Sequence, residues 1–248
     1  MDELRDNDLF TQPKRSCFGE CPICCLPLPN DPTKSTLNSC CSQSICLGCN
    51  FANQKRERDQ GLENRCAFCR EPVPKSKEEC NENEMKRVKK KCPVALREVG
   101  KGHRDEGDYE TAFEYFTNAA ELGDADAHFE LSIMYQNGQG VDKDMKKEVY
   151  HLEEAAIGGH PVARLNLGCI EADSDRFDRA KKHFIIAANL GYHRSLEALM
   201  TLYKHGLAGK EDYAGALRAY QAAVEATKST EREEAEEAMR RGEMRFSF

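Results

Sequence analysis

The sequence predicts two structures in one chain: a small cysteine-rich module followed by an all-α solenoid of helix pairs. Two observations carry this. Twelve of the 13 cysteines lie at or before residue 92, and residues 17–69 hold ten of them with no histidine, His103 being the first in the chain. Further on, an Ala-Ala pair returns as Ala119-Ala120, Ala155-Ala156, Ala187-Ala188 and Ala222-Ala223, at spacings of 36, 32 and 35 residues. A period of that size marks stacked helix–turn–helix units. A length of 248 residues accommodates two ordinary domains.

Composition excludes several classes. No stretch approaches the roughly 18 consecutive apolar residues of a membrane span. The first ten residues carry Asp2, Glu3, Asp6 and Asp8, so the basic start and apolar run of a secretory signal are not expected. This places the protein in the cytoplasm and/or nucleus, where thiols stay reduced and a dense cysteine cluster reads as metal-binding rather than disulfide-bonded. Residues 1–90 carry 15 Lys and Arg against 14 Asp and Glu, and residues 91–248 carry 21 against 29, for a net charge of −7. Such a balance lacks the electrostatic footprint of a nucleic-acid binder.

Taken in order, residues 1–16 are polar and aperiodic and are expected to be a disordered leader. Residues 17–74 form the cysteine module. Residues 75–91 are a charged linker ending in the basic run Lys86-Arg87-Val88-Lys89-Lys90-Lys91. Residues 92–227 form the repeat array, in units 92–123, 124–159, 160–191 and 192–227. Residues 228–248 are a charged helix or tail, with Glu231 to Glu237 at a solvated helix end.

In the cysteine module, Cys21-Pro22-Ile23-Cys24, Cys46-Leu47-Gly48-Cys49 and Cys66-Ala67-Phe68-Cys69 are C-x2-C knuckles. Each short turn aims two thiolates at one ion, and Zn²⁺ takes four sulfurs tetrahedrally. Three knuckles supply six ligands, so a second zinc needs two more. The adjacent pair Cys40 and Cys41 is the preferred source, or one of them with Cys17 or Cys25. Two adjacent residues reach one ion only through a tight local turn. The module is small and poor in large apolar side chains, so structural zinc supplies its folding energy. Eight thiolates leave no open position for catalysis at the metal.

The order Cys21-x2-Cys24, Cys40-Cys41, Cys46-x2-Cys49, Cys66-x2-Cys69-Arg70 resembles a RING finger in an all-cysteine form, with Gln43 where the family's usual histidine falls. The resemblance implies a RING-type α+β fold and two interleaved structural Zn²⁺ ions. Cys21, Cys24, Cys46 and Cys49 would hold one ion; Cys40, Cys41, Cys66 and Cys69 would hold the other. It further implies a RING-type E3 ubiquitin ligase, a transferase without a covalent intermediate. Such a ligase binds a ubiquitin-charged E2 conjugating enzyme, here through Ile23, Phe68 and Arg70. Ala67 replaces the proline usual in the last knuckle. Asn53 stands where the family often has a bulky residue, with Phe51, two residues earlier, as its substitute by helix rotation.

In the second repeat Ala127, Leu131, Met134 and Tyr135 share one helical face. Gly138-Gln139-Gly140 breaks the helix, and Met145, Val149, Leu152, Ala155 and Ala156 form the buried face of the next, which Gly159 ends before Pro161 starts another. The pattern Ala127…Leu131…Tyr135…Gly138-Gln139-Gly140-Val141…Asp144…Lys147…Ala155-Ala156…Gly159 resembles Sel1-like repeats, relatives of the tetratricopeptide (TPR) repeat. The other units match less fully, and the third replaces its turn with Asp173-Ser174-Asp175. The resemblance implies an α-solenoid that binds an unknown protein substrate or adaptor. Two rival functions are a non-catalytic scaffold with a degenerate RING and, less favoured, a zinc-ribbon nucleic-acid binder. Cys17, Cys25, Cys80, Cys92 and Cys169 are expected to be spare thiols, and His128, His151, His160, His183, His193 and His205 ordinary solenoid residues. Lys86-Arg87-Val88-Lys89 is a candidate nuclear import signal set against a solvated linker helix.

Overall fold

The computed structural model describes residues 2–243. Met1 of the expected leader and residues 244–248 of the expected tail lie outside them. In chain order the elements are α1 (Asp2–Phe10), a short 3-10 turn (Pro32–Lys34), β1 (Ser35–Asn38), β2 (Gln43–Cys46), α2 (Leu47–Asp59) and α3 (Lys77–Val88). Four helix pairs follow: α4 (Pro93–Asp105) and α5 (Tyr109–Glu121), α6 (Ala125–Asn137) and α7 (Met145–Ile157), α8 (Pro161–Asp173) and α9 (Phe177–Asn189), α10 (His193–Lys204) and α11 (Lys210–Glu225). The last is α12 (Thr230–Arg240). These divide into two compact units: residues up to 17 with 100–225, and residues 18–99 with those from 226 on.

The helical unit is built by repetition. Asp108, Asp124 and Asp144 cap α5, α6 and α7, each carboxylate accepting main-chain N–H groups of the first turn. Gly138 ends α6 at φ +71°, and Gly140 (φ +69°) is confined to glycine for a second reason: a Cβ there would lie 2.5 Å from the Tyr109 carbonyl oxygen. In the third unit Asp175 takes the left-handed conformation instead, at φ +58°. Ala127, Leu131, Met134 and Tyr135 are buried, as are Leu152, Ala155 and Ala156. Met145 is not: it is 76% exposed. It is the first residue of α7, directly after the Asp144 cap, and precedes the turns that pack. The largest core cluster joins Leu165, Phe184, Leu196, Leu199 and Leu202 with alanines at the helix crossings.

Residues 2–16 differ from the disordered leader expected of them. They contain α1, whose Leu9 is 1% exposed and packs with Leu152, Ala155, Ala156, Ala163 and Leu167. The apolar residues of this stretch, Leu4, Leu9 and Phe10, do not fall at helical spacing and leave no period to read.

The cysteine unit holds a two-stranded antiparallel sheet with Ser35 opposite Cys46 and Asn38 opposite Gln43. Among the described residues, the cluster around its cysteines holds Leu28 and Ile45 besides the buried sulfurs, with Phe18 and Ala67 partly buried against it. The charged linker at 75–91 is largely α3, started by Ser76, whose hydroxyl accepts the Glu79 N–H. The C-terminal charge run keeps its glutamates toward solvent, but it is not a free end. In α12, Arg232, Ala235 and Ala238 share one buried face, and both alanines pack with Leu47 and Phe51 of α2. Acidic residues at the intervening positions mask that face in the sequence.

Candidate metal centres

The hairpin separates two sulfur quartets. Cys40 and Cys41 lie in the loop between the strands, and Cys46 ends β2 at the other extremity of a strand about 13 Å long. Cys46 also caps α2, its sulfur accepting the Cys49 N–H at 3.4 Å. Cys21 and Cys24 join Cys46 and Cys49; Cys66 and Cys69 join Cys40 and Cys41. Within each quartet all ligand atoms lie within 4.8 Å of one another.

Four metal–sulfur bonds of about 2.3 Å at tetrahedral angles put the sulfurs about 3.8 Å apart. The separations observed are 3.8 Å for Cys24–Cys46, 3.9 Å for Cys41–Cys66 and 3.4 Å for Cys40–Cys69. An all-thiolate tetrahedral donor set suits zinc or iron, so both clusters could hold metal ions.

Two knuckles are copies of one turn. Cys21 N–H donates to the Leu26 carbonyl at 2.9 Å and Cys66 N–H to the Glu71 carbonyl at 2.8 Å. Cys25 N–H returns to Cys21 and Arg70 N–H to Cys66, with Cys25 and Arg70 at φ +57° and +65°. Cys40-Cys41 solves its geometric problem with a tight turn. Cys41 and Ser42 N–H groups both donate to the Asn38 carbonyl, and Ser42 turns the chain at φ +56°.

Protons distribute unevenly among sulfurs in contact. Hydrogen bonding with Cys46 draws the Cys21 thiol down to about 4. Bonds with Cys40 and Cys41 draw Cys66 strongly down. Burial pushes Cys49 up to about 12. In each quartet one sulfur is thus drawn toward the thiolate by its neighbours, and a bound cation would draw the others down as well.

Sequence reasoning missed Arg232. Its guanidinium donates to Cys24 Sγ at 3.5 Å, to the Pro27 and Leu26 carbonyls at 2.8 and 3.3 Å, and to Thr227 at 2.6 Å. It thus ties α12 to the first knuckle and sets a positive charge beside a sulfur. Gly48, inside another knuckle, permits the approach: a Cβ would lie 2.8 Å from the Arg232 main-chain nitrogen.

Ile23 and Phe68 occupy equivalent positions in the two copied knuckles and are 43% and 48% exposed. Arg70 donates to Asn53 Oδ1 at 2.7 Å and lies 3.8 Å from Glu57. Asn53 is itself buried and donates to Glu57 and to the Arg65 carbonyl. Phe51 does not take over the bulky position, because it is buried against α12.

A third cluster joins Cys17, Asp126 and His160. Cys17 and His160 lie 143 residues apart, so spacing gave no signal. The arrangement reads better as a hydrogen-bonded anchor than as a metal site. His160 Nδ1 accepts the Ala163 N–H at 3.1 Å, which assigns the proton to Nε2, facing Asp126 at 3.6 Å. Cys17 donates to the same carboxylate at 3.2 Å.

Comparison with known proteins agrees with the helical unit. The Sel1 repeat family model matches residues 95–124, 125–160 and 164–192, so the array contains Sel1 repeats. No RING family model matches the cysteine segment. A crystal structure of a Sel1 repeat protein from Oxalobacter formigenes superposes with a TM-score of 0.53 at 19% identity, over 78% of this chain and 86% of that one. At that identity the likeness shows the fold. Two curated relatives, from Rattus norvegicus and Mus musculus, are each named DAP3-binding cell death enhancer 1. The rat protein is 24% identical over 168 residues, 52% of this chain and 33% of its own length. The mouse protein is 24% identical over 158 residues, 48% of this chain and 31% of its own. The chain thus spans about a third of the length of these relatives.

Proposed function

We propose that the protein is a RING-type E3 ubiquitin ligase whose cysteine module, loaded with two structural zinc ions, recruits a ubiquitin-charged E2. Its Sel1 repeats would hold a protein substrate or adaptor. The observation that carries this reading is the pair of interleaved four-sulfur clusters bearing Ile23 and Phe68, half-exposed, at matching points of two identical turns. An apolar residue held in solvent on a rigid, metal-pinned turn is a docking element in this reading. The zinc is structural, and the chemistry is positioning: the module would orient the E2 while the array keeps target lysines at high local concentration. Reduced thiols are required, so the proposed compartment is the cytoplasm or nucleus.

Autoubiquitination with a panel of E2 enzymes tests this. Wild type should form chains with at least one E2, and Ile23→Ala with Phe68→Ala should reduce them at least tenfold with zinc content unchanged. Failure of wild type with every E2 would leave the second reading, a zinc-dependent scaffold. Its supporting observation is that Arg70 is already engaged by Asn53 and Glu57. The array serves protein interaction in either case, and the relatives' name, which describes a DAP3-binding protein, is in keeping with that role.

A further inference from the structure

The helical unit contains a seat for a short helix, and its present occupant is α1. A nine-residue helix is too short to be stable alone in water, so its order depends on what it lies on. Leu9 enters the apolar cluster of α7 and α8. Phe10 lies against the His183 ring at a centroid distance of 4.8 Å, with the Arg179 guanidinium at 4.8 Å and Lys182 Nζ at 5.0 Å from its own ring. Arg5 pairs with Glu153 at 2.6 Å and Glu154 at 3.3 Å, and Asp6 pairs with Arg179.

Beneath the helix end lies Arg164, fully buried. Its Nη1 donates to the Leu9 carbonyl. Its Nε and Nη2 have no hydrogen-bond partner among the described residues, and burial draws it down only to about 10, so it remains charged at neutral pH. A buried guanidinium with one carbonyl for company is poorly satisfied. The resident therefore fits the seat's apolar and rim contacts but leaves its deepest charge short of partners. The ion pairs at the rim are half-exposed and weak. Such an occupant can be displaced.

We propose that this seat on α7, α8 and α9 is a binding site for a short amphipathic helix of another protein, and that α1 occupies it as a built-in competitor. The partner segment carries a basic-acidic pair followed after two residues by leucine and an aromatic, as in Arg5-Asp6-Asn7-Asp8-Leu9-Phe10. An added carboxylate near the leucine, able to reach Arg164, would favour it over α1. This holds whether or not the cysteine module transfers ubiquitin.

Fluorescence anisotropy with a labelled peptide of residues 2–13 provides the test, using full-length chains. In wild type the seat is filled in cis, so the apparent affinity is lowered by the fraction of seats that are free. Leu9→Glu should release α1 and raise apparent affinity for the peptide about tenfold or more. A second released chain, Arg5→Glu with Asp6→Arg, alters only half-exposed charges and should do the same with the melting temperature of the array preserved. Arg179→Glu added to the Leu9→Glu chain, whose own α1 keeps Asp6, should abolish the gain for the native peptide and restore it for a peptide carrying Asp6→Arg. Equal affinity of wild type and released chains, or binding by none of them while all remain folded, overturns the proposal.

Discussion

The Arg232 guanidinium spends its donors on one sulfur and three main-chain carbonyls, which fixes both its own position and that of the first knuckle. Outer partners of this kind typically change metal affinity 10–100-fold. If both quartets are loaded with zinc, Arg232→Met should therefore weaken the ion of the first quartet by about that factor and leave the second unchanged, measured by chelator competition. Loss of both ions in parallel would contradict the assignment. Gly48→Ala should push α12 away, costing about 1–3 kcal/mol, visible as faster hydrogen exchange in α12 than in α3. His183 acts at the same scale through protons. Burial first, then the nearby Arg164 and Arg179, hold it down to about 3 against an ordinary 6.5. The unfolded chain thus binds the proton first, so stability is present above about 6.5 and falls as pH drops towards 3. His183→Leu should flatten that part of the pH–stability profile, read as the difference between wild-type and variant thermal melts.

At the scale of elements, what was legible followed from period and spacing. The Gly-x-Gly turn, the alanine pairs and the knuckles each repeat a local pattern, and local patterns survive in a sequence. The two terminal helices do not. α1 buries one leucine, and α12 hides two alanines and an arginine among glutamates, so each earns its place from a partner surface far along the chain. The Cys17–Asp126–His160 anchor is unreadable for the same reason. Met145 failed oppositely: it fits the period, but it precedes the first packed turn. Removing residues 226–243 should leave the array intact, yet speed zinc release from the first quartet by tenfold or more, followed with a chromogenic chelator. An unchanged rate would mean that α12 only rests on the module.

At the scale of the whole molecule, the two units owe their order to different forces. The helical unit buries a continuous leucine and alanine core. The cysteine unit has two small apolar clusters, Leu28 with Ile45 among the cysteines and Leu47 with Phe51 under α12; if both quartets are loaded, metal binding on the order of 10–16 kcal/mol per structural site would supply the rest of its folding energy. Chelation should therefore erase the hydrogen-exchange protection of residues 21–69 while most helical ellipticity remains. Metal analysis should return two zinc per chain. A single cooperative loss of both units on chelation would show that the array depends on the metal as well.

The return of α12 to the first knuckle also sets an order of events during synthesis. The knuckles emerge early: Arg232 follows Cys69, the last knuckle cysteine, by 163 residues. At 5–20 residues per second that is roughly 8–33 s. Throughout that interval the nascent chain carries the first quartet, Cys21, Cys24, Cys46 and Cys49, without its guanidinium clamp. Any product halted within the repeats keeps them so, with the apolar face of Leu47 and Phe51 uncovered. Metal capture and helix closure are thus separated in time, and an interrupted chain is chemically distinguishable from a finished one.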